Sequence, residues 1–251
     1  MRPAIHHPLA CLLLIVTVLA TGCAGPRAAH RKTAVHTGYA YAFLAKRAER
    51  IQENNLHRAR KIFARARKHY TRAYQAGLAR LDERHPGFSA ALARNPGEAV
   101  ATATVKDVPL LYWTAAALGS AIGLSKDQPE MIIRLPQVGA LAHRVTELQP
   151  DYMEGVAYEL LMIYEASRPA MMGGSLALAK HYYEVALSHS QGSSAGLYVS
   201  YGESICVQEQ DREGFVAMME RALAVKAGGV MNRMARKRAR WLLKRIDDLF
   251  L

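Results

Sequence analysis

The sequence contains few glycines, prolines and aromatic residues, and this scarcity excludes several classes of protein. Its 251 residues include 18 glycines and 10 prolines, too few for a collagen-like chain or a long flexible linker. Only 8% of the residues are aromatic, and valine, isoleucine and threonine form no alternating runs typical of strands. Alanine, leucine, arginine and methionine are abundant instead. With 51% apolar and 22% charged residues, the composition predicts a folded, all-α protein.

The sequence also lacks the motifs that carry common enzyme chemistry. It has no HExxH or His-x3-His pattern for a metal, no P-loop and no Rossmann glycine pattern. His181 and His189 lie eight residues apart, but no cysteine or carboxylate nearby completes a metal site. Glu159 and Glu165 have no recognisable partner for acid–base catalysis. We therefore predict that the protein is not an enzyme and binds no metal and no cofactor.

Two of the three cysteines belong to an N-terminal segment that predicts export. An apolar run of about twelve residues, 9–20, follows Met1-Arg2; it is too short to span a bilayer and suits a signal peptide. It ends in Ala20-Thr21-Gly22-Cys23, which resembles the lipobox of bacterial lipoproteins, although leucine is usual where Ala20 stands. We predict a lipoprotein signal peptide over 1–22 and acylation of Cys23. An ordinary signal peptide with an incidental cysteine is the alternative.

The predicted signal peptide and acylated Cys23 together predict a periplasmic protein with a lipid anchor, in the outer membrane rather than the inner one.

The positive charge of the protein is concentrated in two segments. The formal charge is +12, and residues 24–106 carry 17 Lys and Arg against 5 Asp and Glu. The last segment, 231–251, carries 7 against 2. Export makes nucleic acid an unexpected partner for these basic segments. They are either solvated faces or surfaces attracted to anionic lipid head groups or to an acidic receptor.

The third cysteine, Cys206, lies in an apolar helical segment and is predicted to be a small buried hydrophobe.

From residue 39 onward the chain is a series of helical patterns interrupted by proline and glycine, which predicts a single α-helical domain over 39–251. Residues 23–38 lack hydrophobic periodicity and are predicted to be a flexible tether. The predicted helices are 39–54, 56–83, 110–124, 129–148 (with an internal step at Leu135-Pro136), 153–166, 175–190, 195–208, 212–225 and 230–250.

A spacing typical of tetratricopeptide (TPR) repeats recurs along these helices. In the second helix of such a repeat, a small residue is followed by an aromatic residue four positions on and by alanine three positions later. Ala59-Phe63-Ala66 and Ala179-Tyr183-Ala186 match, and Phe215-Met219-Ala222 and Val138-Ala142-Val145 keep the spacing. Tyr198-Tyr201-Gly202-Ile205 follows the order expected of a first helix. We predict a TPR-like helical-hairpin solenoid with irregular insertions; a plain helical array with chance alanines is the alternative.

Tyr112 and Trp113 begin a helix that is otherwise rich in small residues. Ala116 and Gly123 are small enough to leave space beside these rings, which predicts a ligand cavity lined by the four residues. Close helix packing is the alternative, because alanine and glycine also let two helices approach.

The segment from Asp107 to Val225 resembles the TatT family. Leu111-Tyr112-Trp113, Leu135-Pro136 and Gly173-Gly174 match the family outside the general repeat positions. TatT proteins are TPR-like periplasmic lipoproteins associated with TRAP (tripartite ATP-independent periplasmic) transporters, which import organic acids through a solute-binding protein and a permease. The resemblance implies a homo-oligomeric accessory protein that binds the TRAP-type solute-binding protein and holds an apolar or organic-acid ligand. A TPR scaffold lipoprotein of outer-membrane assembly or envelope maintenance, binding a polypeptide, is the alternative.

Overall fold

The computed structural model describes residues 30–250, and this range contains helices and no strand. The all-α class predicted from composition is confirmed. The helices, numbered in chain order, are α1 (Arg31–Tyr39, continued by a π-helical segment Ala40–Ala45 and by Lys46–Ile51), α2 (Leu56–Arg84), α3 (Phe88–Arg94), α4 (Pro96–Ala101), α5 (Val108–Gly123), α6 (Pro129–Ile132), α7 (Leu135–Leu148), α8 (Val156–Ser167), α9 (Leu176–Ser190), α10 (Ala195–Tyr201, continued by a π-helical segment Gly202–Cys206 and by Val207–Glu209), α11 (Arg212–Ala224) and α12 (Val230–Leu243).

Helices that follow one another along the chain also pack together. α1 lies against α2, α2 against α5, and α5 against α7; α7 then contacts α8, and α8 packs along α9. α10, α11 and α12 form the last group, while the short α3 and α4 bridge α2 and α7. Because the connections are short, neighbouring helices run antiparallel. This stacking is compatible with the predicted TPR-like solenoid of helical hairpins. No helix within residues 30–250 is both long and apolar enough to cross a bilayer.

The helical fold begins earlier than the sequence pattern predicts. Residues 31–38, expected to belong to a flexible tether, form the first turns of α1, and Thr33, Ala34 and Thr37 are buried. These side chains are small and partly polar, so they produce no apolar stripe in the sequence. The Thr37 hydroxyl donates to the carbonyl oxygen of Thr33 at 2.9 Å, which satisfies its polar group inside the helix pair. The tether prediction is therefore wrong for residues 31–38; residues 23–29 lie outside the described part of the chain.

The long helix α2 is fixed by polar contacts at both ends. At its start, Asn55 Oδ1 accepts a hydrogen bond from the backbone N–H of Arg58 at 2.9 Å, a typical N-cap. At its end, the buried carboxylate of Asp107 lies 2.6 Å from Arg84 Nη1 and 3.0 Å from His85 Nε2. Burial alone would raise the pKa of Asp107, but hydrogen bonds from Thr104, Arg84 and His85 lower it to about 2. This carboxylate joins the end of α2 to the start of α5.

The small residues of the predicted repeats lie at helix–helix contacts. Ala59, Ala66, Ala179 and Ala186 are at most 2% exposed. The other two sets of the same spacing are also buried; they comprise Val138, Ala142, Val145, Phe215, Met219 and Ala222. The aromatic positions are less uniform, because Tyr183 is buried whereas Phe63 and Tyr201 are half-buried.

Gly202 allows α10 to approach α11 closely. A Cβ atom at this position would lie 2.6 Å from Met219 Cε and 3.2 Å from Phe215 Cδ2. Phe215 and Met219 therefore pack directly against residue 202, and a methyl group there would require these side chains to shift. This close approach is the role that the repeat pattern predicts for a small residue here.

Two predicted helices are interrupted in the structure. The predicted helix 129–148 is divided at its expected Leu135-Pro136 step, since α6 ends at Ile132 and α7 begins at Leu135 with Pro136 in its first turn. Proline favours a helix start because it needs no partner for an N–H group there. The predicted helix 230–250 ends at Leu243 and is followed by a 3-10 turn, Ile246–Asp248.

Candidate interior binding site

The central helix α5 is buried on most sides but keeps one half-exposed stripe. Tyr112, Ala116 and Gly123 lie on this stripe, because spacings of four and seven residues return to nearly the same helix face. Tyr112 and Ala116 are half-buried, and Gly123 is exposed at the end of the helix. The stripe spans about 16 Å. Three of the four side chains predicted to line a cavity therefore share one face, although Gly123 lies far from the aromatic pair.

Trp113 is held in an aromatic cluster beside this stripe. Its ring meets Tyr112 edge to face, with the centroids 5.2 Å apart, and Tyr112 lies 5.8 Å from Tyr152. Burial raises the pKa of Tyr152, and a side-chain hydrogen bond with Trp113 opposes that shift. Trp113 itself is half-buried. Trp113 therefore packs against Tyr112 and hydrogen-bonds to Tyr152, and part of its surface stays exposed.

Glu159 brings a carboxylate to the same region, which sequence reasoning did not identify. This half-buried residue lies on α8, and burial raises its pKa. Ser200 on α10 donates its hydroxyl hydrogen to Glu159 Oε1 at 2.7 Å, which opposes the shift. Burial also raises the pKa of Tyr112, and the carboxylate of Glu159 raises it further. Glu159 on α8 is therefore hydrogen-bonded to α10 and interacts electrostatically with Tyr112 on α5.

Tyr41 on the first helix interacts electrostatically with the same carboxylate. Burial raises the pKa of Tyr41, the carboxylates of Glu203 and Glu159 raise it further, and the guanidinium of Arg238 opposes them. Tyr41 is nevertheless 39% exposed, so part of its ring is open to solvent. We call Tyr41, Tyr112, Glu159, Ser200, Glu203 and Arg238 the interior cluster.

Both π-helical segments supply a member of the interior cluster. Tyr41 lies in Ala40–Ala45 and Glu203 in Gly202–Cys206. A π-helical segment rotates the residues that follow it relative to an ordinary α-helix, and such segments are frequent at functional sites. Neither segment could be identified from hydrophobic spacing, because that spacing assumes 3.6 residues per turn.

Arg238 on α12 joins the two ends of the helical array. Its guanidinium forms ion pairs with Glu203 on α10 and with Glu49 on α1. It also lies 4.4 Å above the ring of Trp241, which Arg245 approaches within 4.7 Å. Arg238, Glu203, Trp241 and Arg245 border a cleft of about 160 Å³. The positive charge of Arg238 is therefore balanced by the carboxylates of Glu49 and Glu203.

The interior cluster has the chemistry of a binding surface. It offers phenol and serine hydroxyls, a carboxylate with a raised pKa and the apolar faces of aromatic rings. Ile163, four residues after Glu159 on the same face of α8, adds an apolar side chain that is 36% exposed. This combination suits a small, mainly apolar ligand with a polar end.

The chain matches a family model described as TRAP transporter T-component over residues 10–250. It belongs to the TRAP transporter T-component family. A relative from Treponema pallidum (strain Nichols), an uncharacterized protein, is 26% identical over 237 residues, which cover 89% of this chain and 73% of the relative. The resemblance to TatT proteins is confirmed, and with it an association with TRAP transport.

The remaining reactive groups of this T-component are its cysteines and its possible metal ligands. Cys206 is buried, as predicted, and burial together with the carboxylates of Asp211 and Glu209 raises its pKa to about 11. The thiol therefore stays protonated and is a poor nucleophile at neutral pH. Residues 30–250 contain no group of three or more histidine, cysteine or acidic side chains arranged around a common point. Cys23 lies outside the described residues.

Proposed function

We propose that this T-component is a periplasm-facing, lipid-anchored accessory protein of a TRAP-type organic-acid uptake system, and that it binds the solute-binding protein. The family match over residues 10–250 carries this proposal, because it includes every helix of the described fold. Helical-hairpin arrays commonly act by presenting extended surfaces to a partner.

Exposed apolar side chains at one end of the array are our candidate surface for the solute-binding protein. Met171 is 93% exposed and Met172 48% exposed in the connection between α8 and α9, and Ile133, just before α7, is 78% exposed. A Cβ atom at Gly139 would lie 2.7 Å from the ring of Tyr164, so the start of α7 lies against the end of α8. The three exposed side chains therefore share one end of the molecule. Flexible methionines suit a surface that adapts to a partner.

The experiment that tests this proposal is co-purification from bacterial membranes of the solute-binding protein with the tagged full-length chain. An Ile133→Asp/Met171→Asp variant should retain about ten-fold less of the solute-binding protein, because each change introduces a charge at the apolar contact. Val230→Asp/Met231→Asp is the matched control on α12, where the same residues are 43% and 66% exposed. Failure of the wild-type chain to retain any solute-binding protein would refute the proposed function. Equal retention by the two variants would refute the proposed surface.

We propose further that the interior cluster binds the ligand, and that the ligand is apolar rather than an organic acid. Arg238 already pairs with Glu49 and Glu203, so an added carboxylate would compete with two that are built into the fold. Glu159 would also repel an anion whenever it is ionised. A neutral molecule instead gains contact with Tyr112, Ile163 and their neighbours without displacing an ion pair.

The predicted anchor has its own test. Cys23→Ser removes the thiol that acylation requires, so the variant should leave the membrane fraction or remain unprocessed. Intact-mass measurement of the mature wild-type chain shows directly whether Cys23 is the acylated first residue. Normal maturation and unchanged membrane retention of Cys23→Ser would favour an ordinary signal peptide.

A further inference from the structure

A straight row of basic side chains runs along the solvent side of α2. Arg58, Lys61, Arg65, Lys68 and Arg72 are all exposed, and their spacing of three and four residues keeps them within one narrow face. The row is about 21 Å long. The buried residues of α2 lie on the opposite side of the helix. None of the five side chains has an ion-pair partner within residues 30–250, although Arg80 and Arg84 farther along α2 do.

Helix α1 extends this surface. Lys32 and Arg72 both lower the pKa of His36, after the effect of burial, so the first turn of α1 lies beside the basic row. The Nδ1 atoms of His36 and His69 are 3.1 Å apart, which holds the two helices together at this point. Val35 and Phe43 on the outer side of α1 are 39% and 38% exposed. We call the basic row together with Lys32, Val35 and Phe43 the basic face.

We propose that the basic face rests on an anionic lipid bilayer. Residues 54–81 contain no aspartate or glutamate, so this surface attracts negative charge. It lacks the mixture of positive and negative side chains by which one protein recognises another. Long lysine and arginine side chains suit a diffuse layer of phosphate head groups. Exposed Phe43 and Val35 beside them supply the apolar contacts that peripheral helices make with the bilayer interface.

The position of the basic face along the chain supports the same occupant. Helix α1 begins at Arg31, and Cys23, the predicted acylation site, lies eight residues earlier. Eight residues reach at most about 29 Å when fully extended, so an anchored chain keeps the start of α1 near the bilayer surface. This inference rests on the membrane anchorage in the proposed function. Orientation by the basic face would then hold the helical array at a defined angle on the membrane.

Vesicle sedimentation tests this orientation without the acyl chain. The full-length chain carrying Cys23→Ser is mixed with vesicles of phosphatidylcholine alone or with 30% phosphatidylglycerol. The apolar run 9–20 binds both kinds of vesicle, so the difference between them measures attraction to anionic lipid. Each basic side chain near such a surface strengthens binding roughly five-fold. Arg65→Gln/Lys68→Gln/Arg72→Gln should therefore weaken binding to the anionic vesicles on the order of 100-fold.

The matched control changes the same number of charges elsewhere. Arg233, Lys237 and Arg240 are exposed on α12 and have no ion-pair partner in the described range. Arg233→Gln/Lys237→Gln/Arg240→Gln should retain most of the anionic-vesicle binding. Equal losses in the two triple variants would show that net charge alone acts, and would overturn the proposal. Equal binding of the parent to both vesicle types would also overturn it and would favour an acidic protein partner. Intact-mass analysis of wild-type Cys23 reports the anchor separately.

Discussion

Arg238 in α12 and Glu49 in α1 form an ion pair although 189 residues separate them in the sequence. Within residues 30–250, none of the buried apolar clusters includes side chains from both helices. A second ion pair, between Arg245 and Glu53, lies along the same seam. The contact between the first and last helices is therefore ionic, whereas neighbouring helices elsewhere share buried apolar side chains. It is the contact most easily weakened without damage to the core.

Arg238→Met should loosen this seam selectively. The guanidinium is 14% exposed and pairs with two carboxylates, so its loss should cost about 1–3 kcal/mol of the free energy of unfolding. Hydrogen exchange should rise in residues 46–51 and 238–245 and stay unchanged in α5 and α7. Arg240→Met, an exposed neighbour on the same helix, is the control. Uniform destabilisation of all helices would mean that the seam is an integral part of the core.

The stability of the protein should fall as the pH drops through about 6.5. Burial lowers the pKa of His36 and His69 below 6.5, and nearby basic residues lower it further. The unfolded chain therefore binds protons that the folded chain does not, so this contribution to stability is complete above pH 6.5 and is lost below it. Chemical denaturation at pH 7.5 and 5.5 measures the effect. His36→Asn/His69→Gln should reduce the difference between the two pH values, whereas His57→Gln, at an exposed site on α2, should leave it unchanged.

The repeat positions in α9 should tolerate no charge. Ala179 and Ala186 are 0% and 2% exposed, so arginine at either site would bury an unpaired cation and cost at least about 3 kcal/mol. Thermal unfolding measures this loss. Ala177→Arg, an exposed site on the same helix, should change the melting temperature by no more than a degree or two. A melting temperature equal to wild type for Ala179→Arg would contradict the repeat register.

Local sequence patterns predicted the helices well, because the apolar residues that a helix buries recur at helical spacing within its own sequence. The predicted helix 56–83 agrees with α2, whose buried residues recur at helical spacing. The start of α1 was missed, since Thr33, Ala34 and Thr37 are buried by fitting closely and produce no hydrophobic stripe. Small residues carry little hydrophobic signal even where they lie in the core.

The candidate site was predicted only in part, for a different reason. Tyr112 and Trp113 were identified because they begin a helix that is otherwise rich in small residues. Glu159, Ser200 and Arg238 belong to three separate helices, and their proximity follows from the packing of the whole array. No residue spacing in the sequence predicts which side chains of separate helices lie close together. The π-helical segments that bring in Tyr41 and Glu203 also break the regular period on which sequence reasoning depends.

The last prediction separates a ligand site from ordinary packing at Trp113. If Trp113 borders existing space, Trp113→Ala should lower the free energy of unfolding by less than the ~3–5 kcal/mol typical of emptying a packed aromatic site. Binding of an apolar fluorescent probe to the soluble chain 24–251 should then change by a larger factor than stability does. Glu159→Gln should keep or improve probe binding, because it removes a charge from the interior cluster without changing its shape.

Trp241→Ala is the matched control, since Trp241 is the other tryptophan of the chain and is also half-buried. It packs beneath Arg238 and Arg245 rather than beside Tyr112. Its loss should weaken the ionic seam and leave probe binding at Tyr112 nearly unchanged. The opposite pattern, with a full loss of aromatic-core stability in Trp113→Ala and no probe binding by the wild type, would remove the ligand part of the proposed function. The contact with the solute-binding protein would then remain as the proposed function.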